Sequence, residues 1–221
     1  MPANRVILIT EGDSDDAFFK KLLEVHGIQG CSIKQRNRGG ISYFREQLRS
    51  LRTPAVRTKY NKILLIADND SDPAAGFACV TTELREANSG ESGENQFGIP
   101  NAPRVPATGS PSLPSVSILM LPWDGQPGCL ETLCLRSTNQ KYLKEKKCAE
   151  DLVECVSANN WAISQKSKLT LRCLLSSVCK SDPNTGLAYA WSTVNGRPGD
   201  IFPLDNPVFQ PIATYLNQIL V

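Results

Sequence analysis

The stretch Lys62-Ile63-Leu64-Leu65-Ile66-Ala67-Asp68-Asn69-Asp70-Ser71-Asp72 decides how the chain is read. An unbroken apolar run ends abruptly in carboxylates. A strand buried on both faces of a parallel sheet has this look, and ligands collect outside the carboxyl ends of such strands. A second stretch repeats the pattern: Arg5-Val6-Ile7-Leu8-Ile9-Thr10-Glu11-Gly12-Asp13-Ser14-Asp15-Asp16. Asp68, Asp70 and Asp72 are spaced by two, so an extended backbone points all three to one side. Carboxylates held that close repel unless they are solvated or share a cation. Magnesium commonly joins one or two carboxylates to a substrate phosphate. The two stretches therefore predict a divalent-metal site, holding Mg2+ or Mn2+, that acts on phosphate. The competing reading is an acidic turn capping the next helix, which Asp72 before Pro73 suits. An EF-hand loop is excluded, because its sixth and twelfth positions fall on Pro73 and Cys79 rather than Gly and Glu.

Working outward, the acids at 13–16 favour a helix N-terminus, and Phe18, Phe19, Leu22, Leu23 and His26 continue at helical spacing to Gly27. A short strand is expected over 31–36 and a turn at Asn37-Arg38-Gly39-Gly40. An amphipathic helix follows over 41–52, and another over 74–87. Further on, the pattern predicts a strand over 116–121, a short helix over 129–135 bearing Glu131, and helices over 141–157, 169–179 and 207–219. Strands alternating with helices imply an α/β fold with a mostly parallel sheet covered on both faces. The helical part begins at about 140. Residues 88–115, with Pro100, Pro103, Pro106, Pro111 and Pro114 and no periodicity, read as a flexible insertion in a single domain spanning 1–221.

Formal net charge is only +2, so bulk charge selects no partner. Its distribution is more informative. Residues 31–62 hold nine cations against the single acid Glu46, a local excess of +8. Arg36, Arg38, Arg45, Arg49 and Arg52 are thus candidates for nucleic-acid contact, with a solvated helix face as the alternative. Eight cysteines include no Cys-x-x-Cys and accompany one histidine, which excludes the usual zinc spacings. Cysteines in apolar company, and a first strand that begins at once, predict small buried thiols in a cytoplasmic protein. No apolar run approaches the ~20 residues of a membrane span.

A Glu-Gly at one strand end and an Asp-x-Asp at another, roughly sixty residues later, form a more specific combination than either alone. With their strands they resemble a TOPRIM domain, the metal-binding fold of topoisomerases, primases and OLD-type nucleases. Leu119-Met120-Leu121-Pro122 followed by Gly128-Cys129-Leu130-Glu131 resembles the Pro…Gly-x-Leu-Glu segment of the small bacterial TOPRIM-like DUF3226 proteins. Lys166-Ser167-Lys168 before an apolar helix is also similar to that family. The resemblance implies a four-stranded parallel, Rossmann-like sheet with one or two Mg2+ ions. Glu11 would bind metal or move a proton, and Asp68 and Asp70 would hold metal, with Asp15 and Asp72 as secondary ligands. Glu131 would complete a second metal site, and Lys166 or Lys168 would stabilise charge on a scissile phosphate. Where TOPRIM domains often place Gly shortly after the second Asp, this chain has Ser71-Asp72-Pro73. The implied function is Mg2+-dependent cleavage of phosphodiesters in nucleic acid, DNA rather than RNA. The alternative is a non-catalytic nucleic-acid or nucleotide binding module working with a separate ATPase.

Overall fold

The computed structural model describes residues 5–34, 39–53 and 59–220. Four strands form one sheet: β1 (Val6–Ile9), β2 (Cys31–Ile33), β3 (Lys62–Asp68) and β4 (Ser115–Leu121), in the order β2-β1-β3-β4. Every pair is parallel, with Val6 opposite Cys31, Ile9 opposite Leu65, and Asp68 opposite Leu121. All four carboxyl ends therefore lie along one edge. Flanking and following the strands are helices α1 (Asp13–Val25), α2 (Tyr43–Ser50), α3 (Pro73–Asn88), α4 (Leu130–Arg136), α5 (Leu143–Cys155), α6 (Ile163–Val178) and α7 (Gln210–Gln218).

The interior positions of the central strands β1 and β3 are apolar because both faces are covered. Val6, Leu8, Leu64, Ile66, Leu119 and Leu121 face one core with Phe18, Phe19 and Leu22 of α1 and residues of α4, α6 and α7. Ile7, Ile9, Ile63, Leu65, Ala67, Val116, Ile118 and Met120 face the other, closed by Phe44 and Leu48 of α2 and by Val80 and Leu84 of α3. Alternation along each strand thus separates two cores even where both faces carry apolar side chains. The first core extends into the carboxyl-terminal part, where Phe18 meets Trp191 and Phe209 at ring distances of 5.6 and 5.2 Å. His26 serves packing here, with Nε2 lying 3.0 Å from the Leu204 carbonyl.

The stretch expected to be a flexible insertion is packed. Asn88 fixes its start, accepting from Phe97 N and donating to Phe97 O, both at 2.9 Å. Phe97 is buried in the second core, and Ala107 pairs antiparallel with Val116 of β4. The strand-like bond Arg104 N to Ile118 O, 2.7 Å, continues this cover over the sheet edge. Gly98 and Gly109 approach so closely that a Cβ on Gly109 would lie 2.1 Å from the Gln96 carbonyl oxygen. Backbone pairing and single anchors hold this region, so no hydrophobic period marks it in sequence.

The expected buried thiols are only partly found. All eight cysteines are unpaired; Cys129, Cys134 and Cys179 are buried, whereas Cys79, Cys148 and Cys155 are exposed on helix surfaces. Among the described residues, no helix is long and apolar enough to cross a membrane.

Candidate metal centre at the carboxyl edge of the sheet

Parallel pairing of β1 with β3 brings their carboxyl ends together, and the residues that follow carry the acids. Glu11 lies two residues beyond Ile9, and Asp68 closes β3 three residues beyond its partner Leu65. Gly39 presses against Glu11: a Cβ there would lie 2.7 Å from the Glu11 carbonyl oxygen, which accepts from Gly40 N at 2.8 Å. That close approach explains the Gly-Gly pair. It fixes the Glu11 backbone. On the α1 side, Gly12 N donates to Asp15 Oδ2 at 2.7 Å and Thr10 Oγ1 to Asp16 Oδ1 at 2.6 Å.

The loop after β3 does not stay extended. Asp70 takes a left-handed φ of 50° and exchanges two backbone hydrogen bonds with Gly128, at 2.8 and 2.6 Å. The turn is thus made by Asp70 itself, without the following glycine of the TOPRIM pattern. Asn69, fully buried, ties the same loop to the end of β4, donating from Nδ2 to the carbonyls of Pro122 and Gln126 at 2.9 and 2.8 Å. These bonds seat α4 over the strand ends, where Leu130 N donates to Asp68 Oδ1 at 3.1 Å. Gly128 has φ 139°, and a Cβ there would lie 2.6 Å from Thr132 Oγ1, so this corner requires glycine. Thr132 Oγ1 lies 2.9 Å from Ser167 Oγ, and the Cys129 thiol donates to Ser164 O at 3.7 Å. Through these contacts α4 positions α6, and α6 delivers Lys168, whose Nζ lies 3.8 Å from Asp68 Oδ2.

The tightest set of ligand-type atoms among the described residues joins Asp68, Cys129 and Glu131, all within 4.8 Å of one another. Glu131 therefore belongs to the centre, and Cys129 is a member the sequence did not reveal. Burial, then the Glu131 and Asp68 carboxylates, push the Cys129 thiol well above its ordinary pKa. It stays a thiol that donates to a carbonyl, which leaves an oxygen donor set suited to a hard cation. Glu11 lies outside this set but shares its field. Burial, then Asp15 and Asp70, raise its pKa from 4.5 to about 7, against the pull of Lys168 and a backbone hydrogen bond from Asp68. Burial, then Asp15, Glu11 and Glu131, likewise raise Asp68, with Lys168 again opposing. Glu11 Oε1 is buried without a hydrogen-bond partner among the described residues. A buried carboxylate oxygen without a donor is costly unless a proton or cation reaches it.

The other expected site residues fall differently. Asp72 caps α3, its Oδ1 accepting from Ala74 N and Ala75 N at 2.9 and 3.2 Å. The left-handed turn at Asp70 breaks the extended path that would have aligned Asp72 with Asp68. Asp15 acts on the centre through its charge while its Oδ2 accepts from Gly12 N. Lys166, two residues before Lys168, is rotated by about 200° around the α6 axis relative to it. Arg36 and Arg38 lie outside the described residues. Arg45, Arg49 and Arg52 are engaged within the fold. Arg45 pairs with Glu83 and Glu86 at 3.2 and 3.8 Å, and Arg49 donates to Glu86 O at 2.9 Å. Arg52 donates to Asn95 O and Asn88 Oδ1, both at 3.0 Å, and its guanidinium lies 4.8 Å from the centre of the Phe97 ring.

Residues 5–221 match the family described as "Protein of unknown function (DUF3226)". The chain belongs to the DUF3226 family. No curated protein and no solved structure matches this DUF3226 chain.

Proposed function

We propose that this DUF3226 protein is a Mg2+- or Mn2+-dependent phosphodiester-cleaving protein of TOPRIM type that acts on nucleic acid, DNA rather than RNA. The observation that carries the reading is the convergence of Glu11, Asp68 and Glu131, from three separate segments, with Lys168 at one sheet edge. The buried, partnerless Glu11 Oε1 and the raised pKa of Asp68 support a cation there. Asp68 and Glu131 would hold it, with Asp70 beside them. A bound divalent ion would supply charge neutralisation at a phosphate and an activated water. Glu11, with a pKa near 7, is suited to take a proton from the attacking water. Lys168 faces the same space and would meet the phosphate's negative charge. Incubation with single-stranded and plasmid DNA in Mg2+ or Mn2+ should give cleavage that a Glu11→Ala, Asp68→Ala double variant lacks. No cleavage, or equal cleavage by the double variant, overturns the reading.

A second reading, a module that binds nucleic acid or nucleotide without cutting it, draws on the Lys168–Asp68 contact. A lysine already offsets part of the carboxylate charge, so the centre can persist without a metal. Binding that survives EDTA, with no cleavage under any metal, would favour it.

A further inference from the structure

Beside the acidic centre a cavity of about 300 Å³ opens between α6 and the turn at 183–187. Glu131 and Lys168 line the cavity and join it to the centre, Ser14 of α1 contributes, and Arg172 lies one helical turn beyond Lys168. The opposite wall is Asn184, Thr185 and Gly186. That wall is held firmly. Ser176 Oγ donates to Pro183 O at 2.6 Å, Thr185 Oγ1 to Asp182 O at 2.7 Å, and Arg197 Nε to Thr185 Oγ1 at 3.1 Å.

The two cations of the groove differ in their surroundings. Lys168 is balanced by Asp68. Arg172 is exposed and makes no ion pair among the described residues, and Asp182, at the foot of the facing turn, is already bound by Arg197. At i and i+4 the two side chains share one helix face, with Cβ atoms about 5–6 Å apart. A phosphate ester reacting at the centre would therefore send its flanking unit past Lys168 toward an arginine whose planar fork suits phosphate. The cavity's volume lies at the lower end of small-molecule sites, enough for a single nucleotide unit and far too small to enclose a duplex.

We propose that this groove holds the nucleotide unit next to the reacting phosphate, that Arg172 grips that unit's phosphate, and that the protein consequently takes single strands in preference to duplex. The inference rests on the phosphate-ester reading of the centre. It is tested with the full chain by fluorescence anisotropy at low salt in EDTA, using an end-labelled single-stranded DNA oligonucleotide and the matching duplex. A nucleoside 5′-monophosphate serves as competitor. Arg172→Ala should weaken single-strand binding about tenfold, the loss of one charge-assisted contact. Lys147→Ala, which removes an equally exposed cation paired with Asp151 on α5, should leave it within twofold. Competition by the monophosphate is the expected result, since the groove is proposed to hold one nucleotide unit with its phosphate on Arg172; failure to compete overturns the proposal. Equal binding by wild type and Arg172→Ala, duplex binding as tight as single-strand binding, or no binding of any probe overturns the proposal. An Arg172 effect on binding without cleavage in any metal would defeat the nuclease reading alone. Cleavage that Arg172→Ala leaves intact, with unchanged binding, would defeat the groove alone.

Discussion

The arginines in and just after α2 and the carboxylates at the ends of β1 and β3 are each a run of one charge sign, yet their surroundings are opposite. Arg45, Arg49 and Arg52 reach Glu83, Glu86, Asn88, Glu91 and Asn95, some 36 to 43 positions later for Arg52's and Arg49's hydrogen bonds, and are balanced within the fold. Glu11, Asp68 and Glu131 are brought together by sheet and helix, and Lys168 opposes the charge of Glu11 and Asp68. The difference teaches that a local run of charge says little about exposure, because its counter-ions come from other segments. Carboxylates at the ends of adjacent parallel strands differ, since the topology that buries the strands also gathers their ends.

The largest effect is expected from the arginine most deeply engaged in the fold. The Arg52 side chain is only 10% exposed. It ties α2's end to Asn88 and Asn95, and it stacks on buried Phe97. Arg52→Ala should lower unfolding free energy by about 2–4 kcal/mol, the sum of charge-assisted bonds and a cation–π contact. Urea denaturation measures it. A loss confined to DNA affinity, with stability unchanged, would return Arg52 to the role of a nucleic-acid contact.

The acidic side is sharpened by pH. A carboxyl whose folded pKa lies above its unfolded value binds more protons when folded, so stability falls as pH rises between the two values. For Glu11 that window runs from 4.5 to about 7, and Asp68 shifts in the same direction. In EDTA the protein should therefore lose stability across this window and regain it on adding Mg2+ or Mn2+. Glu11→Gln should flatten the slope and raise metal-free stability at pH 8 by about 1–2 kcal/mol, a figure discounted for partial exposure. Thermal melts at pH 5 and 8, with and without metal, read both effects. An unchanged slope in Glu11→Gln would mean that Glu11 does not carry the field assigned to it.

Much of this arrangement was legible because it depends on short-range sequence. The apolar runs give the parallel strands, and Glu11 and Asp68 stand where those runs end. Glu131 and Lys168 were legible only through resemblance to DUF3226 proteins, since neither has a local pattern that points to the sheet edge. Cys129 and Asn69 were not legible. Cys129 enters the centre because α4 is seated by the Asp70–Gly128 pairing, and Asn69 because two loop carbonyls converge on its amide. The packing of the 88–115 segment was not legible for a related reason. Its anchors are single residues: Asn88 and Phe97 bind each other, the Phe97 ring enters the second core, and Arg104 stacks on Trp123. Asp72 was legible both ways, and the capping alternative describes its contacts.

The smallest effect belongs to the exposed half of the basic face. Arg45 has a side chain 36% exposed, and one of its acid partners, Glu86, is 52% exposed. Arg49 donates to a backbone carbonyl, that of Glu86. Pairs of this kind contribute little, because solvent screens them and long side chains lose rotamer freedom in forming them. An Arg45→Ala, Arg49→Ala double variant should therefore lose less than about 1 kcal/mol of stability. It should also bind single-stranded DNA within about twofold of wild type, because the guanidiniums it removes are already engaged by Glu83, Glu86 and a backbone carbonyl. The salt dependence of binding separates the cases. A slope of log affinity against log salt that drops by about one to two would make these arginines phosphate contacts in spite of their acid partners. An unchanged slope leaves α2 as an internal brace and places the nucleic-acid charge complement at the carboxyl edge, with Lys168 and Arg172.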